Sequence, residues 1–116
     1  MNIEPYLSLN GRCEEAMDFY QAALGAQVLF KMRMNESPEP PPPGMVPPGC
    51  EHKIMHATVK FGDSTVMMSD GNNDGEPVFK GVTLSLALND IAEAEKCFAA
   101  LCDGGQVQLP MAKTFW

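Results

Sequence analysis

The sequence has little of what nucleic-acid-binding, membrane-spanning or secreted proteins require. Its 116 residues carry 8 Lys and Arg against 15 Asp and Glu, a formal net charge of −7. This balance argues against a broad basic surface for nucleic acid or an anionic membrane. No apolar run approaches the ~20 residues of a spanning helix. The first residues also lack a basic region followed by an apolar core, so we expect no secretory signal and a cytoplasmic location.

Residues that carry chemistry are also few. The only histidines are His52 and His56, which on a strand lie ~13 Å apart, too far to share one metal ion. There is no GxSxG nucleophile elbow and no glycine-rich loop with phosphate-cradling spacing, so serine hydrolysis and nucleotide binding lack support. The four cysteines form no CxxC pair, and we expect reduced thiols. They are Cys13, Cys50, Cys97 and Cys102.

The chain does contain an internal repeat. Residues 10–28, NGRCEEAMDFYQAALGAQV, resemble residues 89–107, NDIAEAEKCFAALCDGGQV. The offset of roughly 77–79 residues is too long for a solenoid repeat and is typical of a duplicated supersecondary module. In each copy the apolar residues recur at helical spacing on one face, which predicts an amphipathic helix that covers a sheet.

Polar residues and glycines predict where the two helices begin and end. Asn10 and Asp90 are the expected N-caps, and Gly25 fits the left-handed position after the first helix. Asp-Gly-Gly at 103–105 stops the second helix. Other aspartates are also assigned to turns or caps, where Asp accepts backbone hydrogen bonds, and none is paired with a second acid in a way that suggests hydrolysis. These are Asp63, Asp70 and Asp74.

Alternation of apolar and polar residues predicts six strands around the helices. They cover residues 3–9, 27–34, 53–61, 64–70, 81–88 and 106–111. We therefore predict a single domain, residues 1–116, with an α+β fold of two βαβββ modules. The modules are residues 1–75 and 76–116, and the second lacks its last two strands.

Residues 37–49, SPEPPPPGMVPPG, interrupt all periodicity. A proline run of this density cannot join a sheet ladder and predicts an extended, polyproline-like loop. It could serve as a PxxP-type ligand for an SH3 or WW module, or simply be a stiffened loop, which is the interpretation we favour.

The incomplete second module has two interpretations. Either the sequence is truncated, which we favour, or a partner chain covers the missing edge, because an uncovered edge is an aggregation liability.

Several short stretches, spread over nearly the whole chain, resemble the vicinal oxygen chelate superfamily, the fold of glyoxalase, bleomycin-resistance and extradiol-dioxygenase proteins. The residues of these stretches are most similar to those of the PhnB-like branch of the superfamily. These stretches are Pro5-Tyr6-Leu7, the Ala16 to Gly25 helix end, His56-Ala57, Met67-Met68-Ser69-Asp70, Ala92-Glu93-Ala94 and Thr114-Phe115-Trp116. The resemblance implies a curved mixed sheet with helices on its convex face, a homodimer or paired modules, and a ligand cavity on the concave face.

The predicted cavity lining follows from the strand phases. Since we expect the more apolar face of each strand to take the helices, residues of the opposite phase should line the cavity, provided that the register is right. They are Tyr6, Ser8, Ile54, His56, Thr58, Met67, Ser69, Thr83 and Ser85. Catalytic residues are not assigned. His56 is either a core histidine bonded to a neighbouring strand or a binding or acid–base group.

Metal enzymes of this superfamily hold a divalent ion with His and Glu from the first, fourth, fifth and eighth strands. The matching strands here offer Tyr6 or Ser8, Met67 or Ser69, and Thr83 or Ser85. Hydroxyls and a thioether are poor ligands for Zn, Ni or Fe, so no metal cofactor is predicted.

Two functions therefore stay open. The first is a metal-independent protein that binds an apolar or aromatic small molecule, as bleomycin-resistance members bind without chemistry. The alternative is a metal-dependent lyase, isomerase or dioxygenase relative whose metal ligands are partly lost with the missing C-terminus.

Overall fold

A computed structural model of the chain describes residues 1–39, 41–71 and 78–115. The chain divides into two compact units, Met1–Phe79 and Lys80–Trp116. The first unit carries a mixed sheet and a helix, and the second carries another helix. The α+β fold class predicted from the sequence is confirmed.

The first unit has the complete strand–helix–strand–strand–strand order. Its elements are β1 (Tyr6–Ser8), α1 (Cys13–Leu24), β2 (Gln27–Arg33), a short 3₁₀ turn (Met34–Glu36), β3 (Ile54–Phe61) and β4 (Ser64–Ser69). The four strands form one curved sheet in the order β1-β4-β3-β2. β1 runs parallel to β4, and the other two pairs are antiparallel. The four strand predictions for the first unit are confirmed, although β1 is shorter than residues 3–9.

Helix α1 begins and ends for different reasons. Its start was predicted wrongly, because Arg12 rather than Asn10 occupies the N-cap position, and the Arg12 side chain makes no capping hydrogen bond. Asn10 instead has a φ of 46° and forms a turn with Gly11. The helix end is confirmed, since Gly25 has a φ of 67° and its N–H donates to the Gln21 carbonyl at 3.1 Å.

Asp70 supplies the missing cap from the end of β4. Its carboxylate is 1% exposed. One oxygen accepts from the Cys13 N–H at 2.8 Å, and the other accepts from the Ile54 N–H at 2.6 Å. One buried side chain thus joins the first turn of α1 to the start of β3, and the predicted role of Asp70 as a backbone acceptor is confirmed.

One face of the sheet packs against α1 to form the core. Its buried members are Cys13, Met17, Ala26, Ile54, Ala57, Val59, Val66 and Met68. Partly buried side chains surround this cluster, among them Val28 and Phe61. Each large apolar side chain buried in this way contributes about 1.5–3 kcal/mol.

Two bulges in the pairing of β2 with β3 change which residues face the core. Val28 pairs with Val59 and Phe30 with Thr58, which leaves Leu29 as an extra residue. A second shift between Met32 and Arg33 leaves an extra residue on β3. An extra residue reverses the alternation of faces. Ile54, predicted on the cavity face, is for this reason fully buried in the core, and that prediction was wrong.

The proline-rich segment is a loop, as predicted, in its described residues. Its shape is not extended, because two Pro-Pro-Gly sequences make tight turns. The Met45 N–H donates to the Pro42 carbonyl at 3.1 Å, and the Cys50 N–H donates to the Pro47 carbonyl at 3.1 Å. Gly44 has a φ of 86° and Gly49 a φ of 83°. Proline followed by a left-handed glycine is typical of a type II turn.

The second unit contains α2 (Ile91–Cys102). Asp90 caps it as predicted, since its side chain accepts from the Ala92 N–H at 3.1 Å. Residues 81–88 and 106–111 were predicted as strands, and this was wrong for the chain as the structure describes it. A strand needs a hydrogen-bonded neighbour, and these segments pair with none of the described residues. The predicted boundary between the modules, at residues 70–75, lies largely outside the described residues. Asp74, predicted in a turn or cap, also lies outside them.

The Cys13 thiol should stay protonated and unreactive in the folded protein. It is 0% exposed, and burial, followed by the charges of Asp70 and Glu14, raises its pKa to about 12. An unfolded thiol ionises near pH 9. Above that pH the unfolded state loses a proton that the folded state keeps, so stability should fall by about 1.4 kcal/mol per pH unit up to about pH 12.

Urea unfolding at pH 8, 9 and 10 would measure this slope. We expect Cys13→Ala to remove it and Cys50→Ala, in the proline-rich loop, to retain it. An equal slope in the Cys13→Ala variant would contradict the assignment.

Candidate functional site

The open face of the sheet, opposite α1, carries a row of four side chains, one from each strand. Tyr6 pairs with Met67, Met67 with Thr58, and Thr58 with Phe30. Residues directly opposite each other on neighbouring strands point to the same side of a sheet. Met68, adjacent to Met67, is fully buried against the helix, so this row lies on the other side. We call this surface the open face.

A second row lies beside the first. Ser8 pairs with Ser69, and Met32 pairs with His56. Ser69 is 6% exposed, and its Oγ accepts a hydrogen bond from the Gly71 N–H at 3.1 Å. Its hydroxyl therefore helps to hold the chain as it leaves β4.

His56 is held between side chains of the open face. Its Nδ1 lies 3.2 Å from the Tyr6 hydroxyl, and its Nε2 lies 3.4 Å from the Thr58 hydroxyl. A neutral imidazole has one donor and one acceptor nitrogen, and hydroxyls can take either role, so both tautomers can be satisfied. The ring is tilted against Tyr6 at a centroid distance of 5.6 Å and against Phe30 at 6.0 Å. His56 is only partly buried, so the open face presents it to a ligand.

Two of the aromatic rings around His56 are half exposed. Tyr6 is 50% and Phe30 47% exposed. Exposed apolar side chains next to a few fixed polar groups are the composition of a small-molecule site. The arrangement can stack a flat ring and hydrogen-bond to one of its substituents.

The structure brings together six of the predicted lining residues on the open face. They are Tyr6, Ser8, His56, Thr58, Met67 and Ser69. Of the remaining three, Ile54 is buried in the core, and Thr83 and Ser85 belong to the second unit and are exposed.

Sequence reasoning missed Phe30. The bulge at Leu29 turns it away from the core, so that it pairs with Thr58 on the open face. The run Val28-Leu29-Phe30, with three apolar residues in succession, was a sign that the alternation is interrupted there.

Charges are distributed unequally over the two faces of the sheet. On the helix side, Glu14 of α1 pairs with Lys31 and Arg33 of β2. The hydrogen bond that Arg33 donates to the Glu14 carboxylate lowers the pKa of Glu14 and raises the pKa of Arg33. On the open face, Lys60 pairs with Thr65 and continues the alternation from Thr58.

The side chains of the open face do not fit the divalent metal that the superfamily resemblance implies. The β1 and β4 positions carry a phenol, two hydroxyls and a thioether, in Tyr6, Ser8, Ser69 and Met67. Zn, Ni and Fe prefer imidazole, carboxylate or thiolate. Within the described residues, no three His, Cys, Asp or Glu side chains lie close enough to hold an ion.

A separate cleft of about 340 Å³ lies under the proline-rich loop. It is lined by Met34, Asn35, Ser37, Pro41, Val46 and Glu51. Its one ionisable group is Glu51, and it offers neither a histidine nor an aromatic ring. The open face is therefore the better candidate site.

The chain is similar in sequence to a protein of Escherichia coli. Protein YjdN of Escherichia coli K12 is 35% identical over 123 residues, which cover all of this chain and 82% of YjdN. The chain belongs to the YjdN family. A scan against protein-family models finds no match.

Two solved structures resemble this YjdN-family chain. The crystal structure of protein PA1353 from Pseudomonas aeruginosa is 38% identical, with a TM-score of 0.83, over 100% of this chain and 83% of PA1353. A Bacillus cereus protein described as a putative 3-demethylubiquinone-9 3-methyltransferase, PhnB protein, is 23% identical, with a TM-score of 0.74. That match covers 95% of this chain and 80% of the other. At this identity it shows the fold alone, and the YjdN-family chain has a PhnB-like fold.

Proposed function

We propose that the chain is a member of the vicinal oxygen chelate superfamily that binds a small apolar or aromatic molecule on the open face without a metal. The observation that carries the proposal is the position of His56, hydrogen-bonded to Tyr6 and flanked by Phe30 on an exposed surface. The PhnB-like fold supports the superfamily placement.

The open face offers such a ligand both apolar contacts and a directional hydrogen bond. An aromatic pair contributes about 0.5–1.5 kcal/mol beyond the area that it buries. Two half-exposed rings and Met67 thus supply stacking and apolar contact, and the Tyr6 hydroxyl, which is hydrogen-bonded to His56, supplies one directional hydrogen bond. This combination favours a flat compound with one polar substituent.

Titration with indole and with phenol, followed by amide and imidazole NMR shifts, would test the proposal. We expect shifts concentrated at Phe30, Thr58 and Met67. His56→Ala should weaken binding about tenfold, because it removes a ring contact and the hydrogen bond that orients the Tyr6 hydroxyl, worth together about 1.4 kcal/mol.

The matched control is His52→Ala, which removes the other histidine from the edge of the proline-rich loop. It should bind as the unaltered chain does. Shifts confined to other parts of the chain, or equal losses in the two variants, would refute the open face as the site.

Metal independence requires its own measurement. Elemental mass spectrometry on protein purified without chelator should find no stoichiometric transition metal. One equivalent of Zn, Ni, Mn or Fe would instead favour the alternative of a metal-dependent lyase, isomerase or dioxygenase relative.

We also propose that the chain forms a homodimer. Residues 81–88 of the second unit leave Val82, Leu84 and Leu86 at 74%, 45% and 48% exposure. A segment with exposed apolar residues that pairs with none of the described strands is well suited to pair with a second chain. Light scattering should then give twice the 12.6 kDa of one chain; the mass of a single chain would exclude the dimer.

A cytoplasmic location is the last element of the proposal. All four cysteines are free, which agrees with a reducing compartment. Across the described residues, none of the helices has the length and apolar character needed to span a bilayer. The net charge of −7 argues against nucleic acid and anionic membranes as partners.

A further inference from the structure

We propose that the open face selects aromatic compounds that carry a carboxylate, with Lys60 as the group that recognises the charge. This inference rests on the proposed function, because it names the chemical class that the same surface takes. Three features of the sheet support it: the charge on each face, the position of Lys60 along β3, and the polar group at the opposite end of the site.

The first feature is that the basic residues of the two faces differ in whether they form ion pairs. Lys31 and Arg33 lie on the helix side, and both are paired with Glu14. Lys60 lies on the open face, and no ion pair among the described residues includes it. An anionic ligand would therefore meet a free ammonium group on the open face and neutralised groups on the other.

Three acidic residues lie close to this surface in sequence. Asp63 is exposed in the turn that joins β3 to β4, three residues after Lys60. Asp70 follows Ser69, but its carboxylate is buried and accepts from the N–H groups of Cys13 and Ile54. The third is Glu4. It precedes β1 and accepts a hydrogen bond from Asn2 at 3.0 Å. The strand residues of the open face include no Asp or Glu. Their field therefore favours an anion, although the chain as a whole carries a net charge of −7.

The second feature is spacing. Lys60 is two residues from Thr58 on the same strand, a distance of ~7 Å between Cα atoms. A ring that stacks on Phe30 and Met67 covers Thr58, because the three residues form one row across the sheet. A carboxylate on the edge of that ring then lies within reach of the flexible Lys60 side chain.

The third feature is the polarity of the two ends. His56 lies on the other side of Thr58 from Lys60 and is occupied by hydrogen bonds to Tyr6 and Thr58. The site thus has the amino group of Lys60 at one end and the hydrogen-bonded imidazole of His56 at the other. A ligand with one anionic substituent has a single preferred orientation in it.

Three probes of the same size and different charge would test the inference. Benzoate, benzyl alcohol and benzylamine are titrated into the full chain at one pH and one ionic strength, with amide shifts of Thr58 and Met67 as the readout. We expect benzoate to bind most tightly and benzylamine most weakly. Lys60→Gln should weaken the binding of benzoate about fivefold and leave the affinity for benzyl alcohol unchanged. This is the size of effect expected for a solvent-accessible ion pair.

The matched control is Lys31→Gln, which makes the same change of charge on the same sheet but on the helix side. It should alter benzoate binding less than twofold. Added salt should weaken the binding of benzoate, because it screens the charges, and should leave the binding of benzyl alcohol unaffected.

The outcomes separate this inference from the proposed function. If benzyl alcohol binds as tightly as benzoate and Lys60→Gln changes neither, carboxylate selection is overturned while aromatic binding stands. If benzylamine binds most tightly, selection for an anion is likewise overturned. If none of the three probes changes the amide NMR shifts of the open-face residues, both the inference and the proposed function fail.

Discussion

Replacing Asp70 with alanine should lower the free energy of unfolding by about 3–5 kcal/mol, since each hydrogen bond to a buried charged group contributes about 1.5–3 kcal/mol. The Asp70 carboxylate is 1% exposed and accepts from two backbone N–H groups. Alanine would leave the N–H groups of Cys13 and Ile54 without their acceptor in a region that excludes water. Urea denaturation followed by circular dichroism would measure the change.

Asp18→Ala is the control for the loss of one negative charge. Asp18 lies on the exposed side of α1, and its removal should change stability by less than about 0.5 kcal/mol. Asp70→Asn should fall between the two, because its amide keeps one acceptor oxygen and replaces the other with a donor. A loss under 1 kcal/mol in Asp70→Ala would show that the carboxylate does not join α1 to β3.

The second large effect is expected from Met68→Ala, at about 2–5 kcal/mol. Met68 is 0% exposed and pairs with Ala57 in the centre of the sheet. Its truncation would leave a cavity between the sheet and α1, which the surrounding side chains can fill only in part. Thermal and urea unfolding would report the loss.

Met67→Ala is its matched control, since the same side chain is truncated one position earlier, on the open face. We expect less than about 1 kcal/mol of destabilisation there, with weaker binding of aromatic compounds instead. Similar losses of stability at the two positions would contradict the assignment of faces, because a register error of one residue would exchange them.

The sequence was sufficient where a local pattern determines the structure. Alternation located β3 and β4, helical spacing located α1 and α2, and Gly25 and Asp90 marked two helix ends. Each of these depends on residues within a few positions of one another. The phase of β4 placed Met67 and Met68 on opposite faces for the same reason.

The errors arose where residues distant in sequence decide the outcome. The helix start at Cys13 depends on a carboxylate 57 positions away. Bulges depend on the pairing of two strands, so neither the burial of Ile54 nor the exposure of Phe30 follows from the pattern of one strand. Residues 81–88 alternate as a strand does, but a strand also needs a neighbour, and alternation does not supply one.

The candidate site could be predicted only as far as it depends on strand phase. In the first unit, six of the predicted residues fall on the open face by strand phase, whereas Phe30 was missed because of its bulge. The hydrogen bond between Tyr6 and His56 joins residues 50 positions apart. It depends on the parallel pairing of β1 with β4, which no local pattern indicates.

That parallel pairing has a consequence for the motions of the site. β1 has only three residues at one edge of the sheet, and backbone hydrogen bonds near its two ends join it to β4, from the Met67 N–H to the Pro5 carbonyl and from the Leu9 N–H to the Ser69 carbonyl. Short edge elements fray at a lower free energy than the centre of a sheet. Fraying of β1 would carry Tyr6 away from His56 while β2, β3 and β4 stay paired. We therefore expect the β1 edge of the open face to open and close as a local event, with amides that exchange with solvent independently of global unfolding.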